Sequence, residues 1–302
     1  SFAHFNMAIE LWGATTTGGP DLRVTISDKV LGMRIPLIGQ GEPVLFYGGS
    51  TEGGFDRLYY VDLPISSGIW GTPTRLNDSA GEAEHYSFML GVVTDLDGRM
   101  HAWVETTSGD NQIKVRSIDR NGLRGSWAVM SVASGGTSTG NVGYGVPFVS
   151  ADGVTLGWAY AQGLLGLGET WPLKVQTAAA AQEPTWSQET ALSDIFEVLG
   201  PGCVSGQFFG SNIFIAWQGR ATASVAPNYY YIRKQSGFWG TKTILYLHPT
   251  AGPLAQTVAT YRVPNGVGVF FAFGTTPPGD IFQPWYWELR TATSLNGLFG
   301  AM

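Results

Sequence analysis

The sequence predicts an all-β fold, a β-propeller of four-stranded antiparallel blades, and three features point to it. An aromatic late in a recurring second β-type run falls at Tyr47, Trp103, Trp158, Trp217 and Phe273, with separations of 56, 55, 59 and 56 residues. A Trp that opens a fourth run falls at Trp70, Trp127, Trp186 and Trp239, separated by 57, 59 and 53 residues. Turn signals between the first two runs recur with the same spacing, as Asp97-Gly98, Asp152-Gly153, Ser211-Asn212 and Asn265-Gly266, with Gly39-Gln40-Gly41 in the equivalent place of the first copy. A period near 55 residues with about four strands per copy is the mark of radial repetition, where a sheet cannot bury both faces until neighbours cover them. Full copies at five places favour five blades. A six-bladed ring follows instead if the N-terminal strands combine with a rebuilt C-terminal piece.

Residues 1–31 read as a closure segment. Two runs, Asn6 through Ala14 and Asp21 through Asp28, flank the turn Thr17-Gly18-Gly19-Pro20, and Trp12 lies 35 residues before Tyr47, too close for a full copy. An N-terminal strand that completes the last blade would remove the unpaired edges of an open sheet. Copy one occupies about 32–78. Copy two, about 87–133, shows the grammar most plainly, with runs at Met89–Thr94, Met100–Glu105, Gln112–Ile118 and Trp127–Val132 and a tight hairpin at Asp97-Gly98. Copies three, four and five occupy about 144–193, 202–249 and 256–298, all within a single domain spanning 1–302. Length varies most between second and third strands, at Gly48–Asp56, Thr106–Asn111, Gln162–Thr170, Gly219–Pro227 and Gly274–Pro284. Loops of unequal length on a constant frame are where binding usually resides.

Composition narrows the function classes. Charged residues are 13% and the net charge is −6, with no run of Lys or Arg longer than two, which argues against nucleic acid as a partner. No apolar stretch is long enough for a membrane-spanning helix, so membrane insertion is not expected. The chain begins at Ser1 without a basic segment leading into an apolar one, as expected of a protein that has lost its initiator or has been processed. Cys203 is the sole cysteine and cannot form an internal bridge. His4, His85, His101 and His248 are dispersed, so neither a metal nor any other cofactor is expected.

Arg34-Ile35-Pro36 in the first strand of copy one, followed by the strand Pro43 through Gly49, resembles the sialidase superfamily. The resemblance extends to fourth strands that open with Trp, and it could cover most of 33–250. It implies that Arg34 grips a substrate carboxylate, a task that suits the planar guanidinium fork. Arg262, in the first strand of copy five, is placed to join it, while the first strands of copies three and four carry no arginine. Asp95 stands where an acid is needed, although it also precedes the Asp97-Gly98 turn and could shape it. The turns Ser67 through Trp70, Asn121 through Trp127 and Ser236 through Trp239 keep the Gly and Trp of the family's Asp-box without its acidic residue. Glycosidic cleavage by paired carboxylates has further candidates in Asp56, Glu82, Glu84, Glu105, Glu169 and Glu288.

The chain is also similar to sugar-binding lectin-type propellers in size, low charge and aromatic content. Tyr229, Tyr231, Trp285 and Trp287 are candidate platforms for a sugar ring, with Tyr229 and Tyr231 on one face of their strand and Tyr230 on the other. Arg57, Arg116, Arg233 and Arg290 recur on third strands, either as surface decoration or as sugar ligands. These features favour a non-catalytic protein, more binder than enzyme, that recognises a glycan or a protein surface through its loop face. Alternatives are a structural component of a virion, phage tail or surface assembly, and a sialidase-like glycoside hydrolase. An extracellular or virion-associated location fits each of them, with a homo-oligomer or larger assembly possible.

Overall fold

Runs rich in Val, Ile, Tyr, Phe and Trp form strands here because large and β-branched side chains suit a pleated surface covered by neighbours. The computed structural model describes the backbone in the strands below and the side chains of residues 91–104, 113–119, 121–130, 147–161, 172–193, 204–219, 229–245, 258–262 and 266–269, with Thr72, Thr74, Leu76 and Gly145. Among the described residues every regular element is a strand.

A two-stranded sheet pairs β1 (Ile9–Gly13) with β2 (Asp21–Ile26). Larger antiparallel sheets follow, each from one contiguous segment. The first runs β3 (Lys29–Arg34), β4 (Val44–Ser50), β5 (Asp56–Asp62) and β6 (Thr74–Arg75). The second runs β7 (Tyr86–Thr94), β8 (Met100–Thr106), β9 (Ile113–Ile118) and β10 (Ala128–Ser131). In the third, β11 (Gly140–Tyr144) and β12 (Phe148–Val149) both pair with β13 (Thr155–Leu164), followed by β14 (Thr170–Ala179) and β15 (Ser187–Phe196). The fourth has β16 (Val204–Phe209), β17 (Asn212–Gly219) and β18 (Asn228–Gln235), with β19 (Phe238–Trp239) and β20 (Thr243–Tyr246) both on the far side of β18. The fifth has β21 (Ala255–Val263), β22 (Gly266–Gly274), β23 (Trp285–Ala292) and β24 (Gly300–Ala301).

The expected five-bladed propeller closed by an N-terminal strand is corrected by this pairing. The strands β1 and β2 bond to each other, with Trp12 opposite Leu22, and among the described residues no sheet closes on itself. The fifth sheet takes its fourth strand from Gly300–Ala301, so the edge of β23 along Arg290 and Thr291 is already occupied. The fold is therefore a series of separate open antiparallel sheets. The chain divides into two compact units, Ser1–Val132 with Ala181–Glu183, and Ala133–Ala180 with Pro184–Met302.

Three of the described turns are built alike. In the turn after β7 the Asp95 amide donates to the Arg99 carbonyl and the Gly98 amide to the Asp95 carbonyl, at 2.9 and 3.0 Å. Gly98 sits at φ 74°, a left-handed position that costs glycine little. Asp119–Leu123 and Ser150–Thr155 repeat the arrangement, each opening on a side-chain oxygen that accepts a backbone amide further along. The Asp-Gly pairs thus end four-residue turns instead of forming two-residue hairpins.

In the second unit the fourth sheet is covered on both faces. Ile213, Ile215 and Trp217 of β17, with Tyr230 and Ile232 of β18, pack on Phe148, Ala159, Leu173 and Val175 of the third sheet. The alternate residues Phe214, Ala216, Tyr229 and Tyr231 pack on Val258, Val267 and Val269 of the fifth. Covering both faces removes the polar half of the usual two-residue alternation, which is why β17 reads as an unbroken apolar run. At the inner edge the Phe148 ring lies between the backbones of Gly157 and Gly206, where a Cβ on either glycine would strike it. In the first unit Leu76 packs with Met100, Ala102, Val104 and Ile118.

Candidate functional site

Asp95 enters the structure as the first residue of a turn, and most of its surroundings follow from that. Its Oδ1 accepts the Arg99 amide at 2.8 Å, and its Oδ2 accepts Arg99 Nη1 at 2.7 Å and lies 3.1 Å from His101 Nε2. The cross-strand partner of His101 is Ser117, whose Oγ is 2.8 Å from Nδ1. A carboxylate only accepts, so Nε2 donates to Asp95, and Nδ1 shares its own hydrogen bond with the Ser117 hydroxyl. Burial alone would raise the Asp95 carboxyl, but the hydrogen bonds from His101 and the Arg99 amide and the charges of both neighbours lower it below the ordinary value of 3.8.

Serine, histidine and aspartate in series suggest a nucleophile activated by a base. Ser117 is 1% exposed and His101 fully buried, so no substrate reaches either. The chain Ser117–His101–Asp95–Arg99 is a clamp that fixes the β7–β8 turn to β9. A carboxyl held ionised and out of water is unsuited to protonate a leaving group, which removes Asp95 as a general acid.

Arg262 lies near the end of β21, opposite Val267, and is exposed. Its Nη2 donates to the Val149 carbonyl at 3.0 Å, and its charge also acts on Asp152. The Asp152 carboxyl is lowered chiefly by the Ser150 hydroxyl, which donates to it at 2.5 Å. Side chains tie the strands beneath Arg262. The Thr260 amide donates to Ser205 Oγ at 2.9 Å, and the Thr260 hydroxyl donates to the Gly206 carbonyl at 2.7 Å. The neighbouring Tyr261 ring covers Gly268, its cross-strand partner, and burial raises its phenol above the usual value.

The remaining sequence candidates separate by position. Arg34 is the last residue of β3, opposite Phe46, and its side chain lies outside the described residues. Trp285 and Trp287, in β23 opposite Gly274 and Ala272, fall on one face of their strand, with side chains likewise outside the described residues. Tyr229 and Tyr231 are buried in the packing between the fourth and fifth sheets. They support the core and are not open to stack on a sugar. The parts of the unequal second-to-third connections that lie between strands, with Glu82, Glu84 and Glu169, fall outside the described residues.

The third-strand arginines do not share a position. Measured from the residue opposite each second-strand aromatic, namely Tyr59, Val115, Tyr230 and Tyr286, they stand two before (Arg57), one after (Arg116), three after (Arg233) and four after (Arg290). Arg116 is buried beside Trp127, and its Nε and Nη1 donate to the Gly125 and Leu76 carbonyls at 2.8 Å each. Sequence reasoning missed the His101–Ser117 pair, although a histidine inside the apolar run Met100–Val104 was a visible signal. Among the described residues no group of three or more His, Cys, Asp and Glu converges as a metal site, and no helix is long and apolar enough to cross a membrane.

The sequence matches no family model and no curated protein. Solved structures do share its fold. An α-L-arabinofuranosidase from Fusarium graminearum, a mutant in complex with an iminosugar inhibitor, is 14% identical over 97% of this chain and 84% of its own, with a TM-score of 0.52. A polysaccharide lyase, an ulvan lyase, is 12% identical over 91% of this chain and 69% of its own, also with a TM-score of 0.52. A protein of unknown function from Dyadobacter fermentans is 10% identical over 91% and 79%, with a TM-score of 0.50. The expectation of a non-catalytic recognition protein, and of a chain less an enzyme than a binder, is corrected by these likenesses, because named proteins that share the fold are enzymes of carbohydrate cleavage. The chain shares an all-β fold with these proteins, and the likeness does not single out sialidases or lectins.

Proposed function

We propose that the protein is a carbohydrate-active enzyme that cleaves glycosidic bonds in a polysaccharide. The observation that carries this reading is the fold likeness to the arabinofuranosidase, which extends over 97% of the chain. Fold alone does not fix a reaction, so the roles rest on the chemistry of the side chains.

Hydrolysis of a glycosidic bond needs one carboxyl to protonate the leaving oxygen and a second group to attack the sugar or to activate water. Among the described carboxylates Asp95 serves the clamp, Asp97 lies 3.4 Å from Arg99, Asp119 and Asp152 shape turns, Glu183 accepts the Ser126 amide and Glu189 pairs with Lys234. The sequence candidates Asp56, Glu82, Glu84, Glu105, Glu169 and Glu288 are taken as the source of the reacting pair. Arg34 and Arg262 keep the role of gripping a sugar carboxylate, each within its own unit. The tie between Arg262 and a backbone carbonyl leaves other guanidinium nitrogens for a ligand. A polymeric substrate also fits an extracellular place of action.

The test is bond cleavage on arabinan, ulvan and a fluorogenic sialoside. Release of reducing ends without an unsaturated product marks a hydrolase, whereas an unsaturated uronate marks a lyase. Sialoside turnover that depends on Arg34 would support the narrower sialidase reading. Changing each candidate carboxylate to its amide should reveal a pair whose loss lowers the rate by about 10²–10⁴-fold. Absence of cleavage on every substrate overturns the proposal.

A further inference from the structure

The outer side of the fourth sheet carries a groove of about 360 Å3, lined in part by Tyr231, Arg233, Gln235, Phe238, Thr241 and Thr243. It exists because β18 is met by two short strands in place of one. Register runs Gln235 to Phe238 and Lys234 to Trp239, then resumes at Tyr231 with Thr243, one residue out of step. The chain bulges between, and the Gly240 amide returns to the Arg233 carbonyl at 2.9 Å. Bulges of this kind re-aim side chains and occur often beside functional sites.

The turn into β19 has the same consequence. Ser236 and Gly237 both take positive φ, 51° and 87°, the pattern of a two-residue hairpin turn. For Ser236 this is a strained position, and the Asn212 side chain accepts its amide at 3.2 Å. The turn sends Phe238 outward, 80% exposed, while Trp239 packs inward on the core shared by the third and fourth sheets. Arg233 lies over the Tyr231 ring at 4.9 Å, and its Nη2 reaches the Tyr231 hydroxyl at 3.4 Å. Burial lowers the Arg233 pKa from the ordinary arginine value.

An exposed ring beside a planar guanidinium, an amide and two hydroxyls matches the two kinds of surface on a pyranose. Its C–H face packs on an aromatic, and its edge of hydroxyls needs directional donors and acceptors. We propose that this groove binds one saccharide unit of a polymer, its ring against Phe238 and its polar edge against Arg233, Gln235, Thr241 and Thr243. The site builds on the polysaccharide reading above and adds a place where the polymer is held. A hydroxyl and a uronate carboxylate both suit the guanidinium, so two polymers are needed to tell them apart.

The experiment is native electrophoresis of the full chain through gels containing neutral arabinan or polygalacturonate. Retardation is expected in at least one gel. A shift in arabinan assigns hydroxyl recognition, and a shift confined to polygalacturonate assigns the carboxylate to Arg233. Phe238→Ala should weaken retardation about tenfold, Phe238→Trp should restore it, and Leu123→Ala, which trims another exposed apolar side chain, should leave it as in the parent. Unchanged thermal melting of Phe238→Ala shows that the loss is not unfolding. Retardation in neither gel, or equal retardation of Phe238→Ala, overturns the proposal. Cleavage is scored separately by reducing ends. Phe238-dependent retardation without cleavage counts against the enzyme reading alone, and cleavage without that retardation counts against the groove alone.

Discussion

His101 Nε2 and Asp95 Oδ2 meet at 3.1 Å with both side chains sealed from water, at 0% and 1% exposure. Asp95 has a folded pKa below its ordinary value, so it contributes stability in full above about pH 4 and loses that contribution as pH falls through the lower folded value. Urea midpoints measured between pH 7 and pH 2 should therefore drop at the acid end. Asp95→Asn should flatten that acid limb and lower stability at pH 7 by about 3–5 kcal/mol, since it leaves Arg99 and His101 without their anion. An acid limb unchanged in the variant would show that Asp95 is not its source.

Tyr229→Ala should cost about 3–5 kcal/mol of unfolding free energy, as for other large buried rings. Its effect on saccharide retardation per folded molecule should be nil. Denaturant titration and gel retardation on the same preparation check both parts.

The Lys234 ammonium contacts both Glu189 oxygens at 2.6 Å, linking the fourth sheet to the third. The two side chains are 22% and 33% exposed, so solvent screens the pair. Lys234→Met should cost no more than about 1 kcal/mol. The difference from the parent should shrink in high salt, as read from melting temperatures across a salt series.

Gly206→Ala puts a methyl against the Phe148 ring. The expected loss is about 1–3 kcal/mol, with Phe148→Leu in the same chain recovering part of it. Simple additivity of the two changes would show that the contact is not shared.

The repeat was legible because burial of a whole sheet constrains composition at fixed intervals. Trp103, Trp158 and Trp217 sit in second strands and are 0%, 0% and 1% exposed. What the N-terminal strands pair with was not legible. That choice is settled by which edge is vacant, and Gly300–Ala301, short and without pattern, takes the edge of β23. Tyr229 and Tyr231 lie in the core instead of on an open face for a related reason. Alternation separates two faces of a strand but does not say that both are covered, as they are in the fourth sheet. The Asp95 clamp joins residues 95, 99, 101 and 117, which meet only once the register of β8 with β9 is known. The groove at Phe238 depends on a one-residue offset between β19 and β20, a property of pairing that residue types do not encode locally.

Phe148 occupies space that belongs to two neighbouring sheets, because Gly157 comes from one and Gly206 from the other. Positions 148, 157 and 206 therefore share one fixed volume, and drift at any of them is coupled to the other two. Shuffling copies between chains of this design would have to carry all three positions together. A third copy moved without its fourth-copy partner would bring a ring with no slot to receive it.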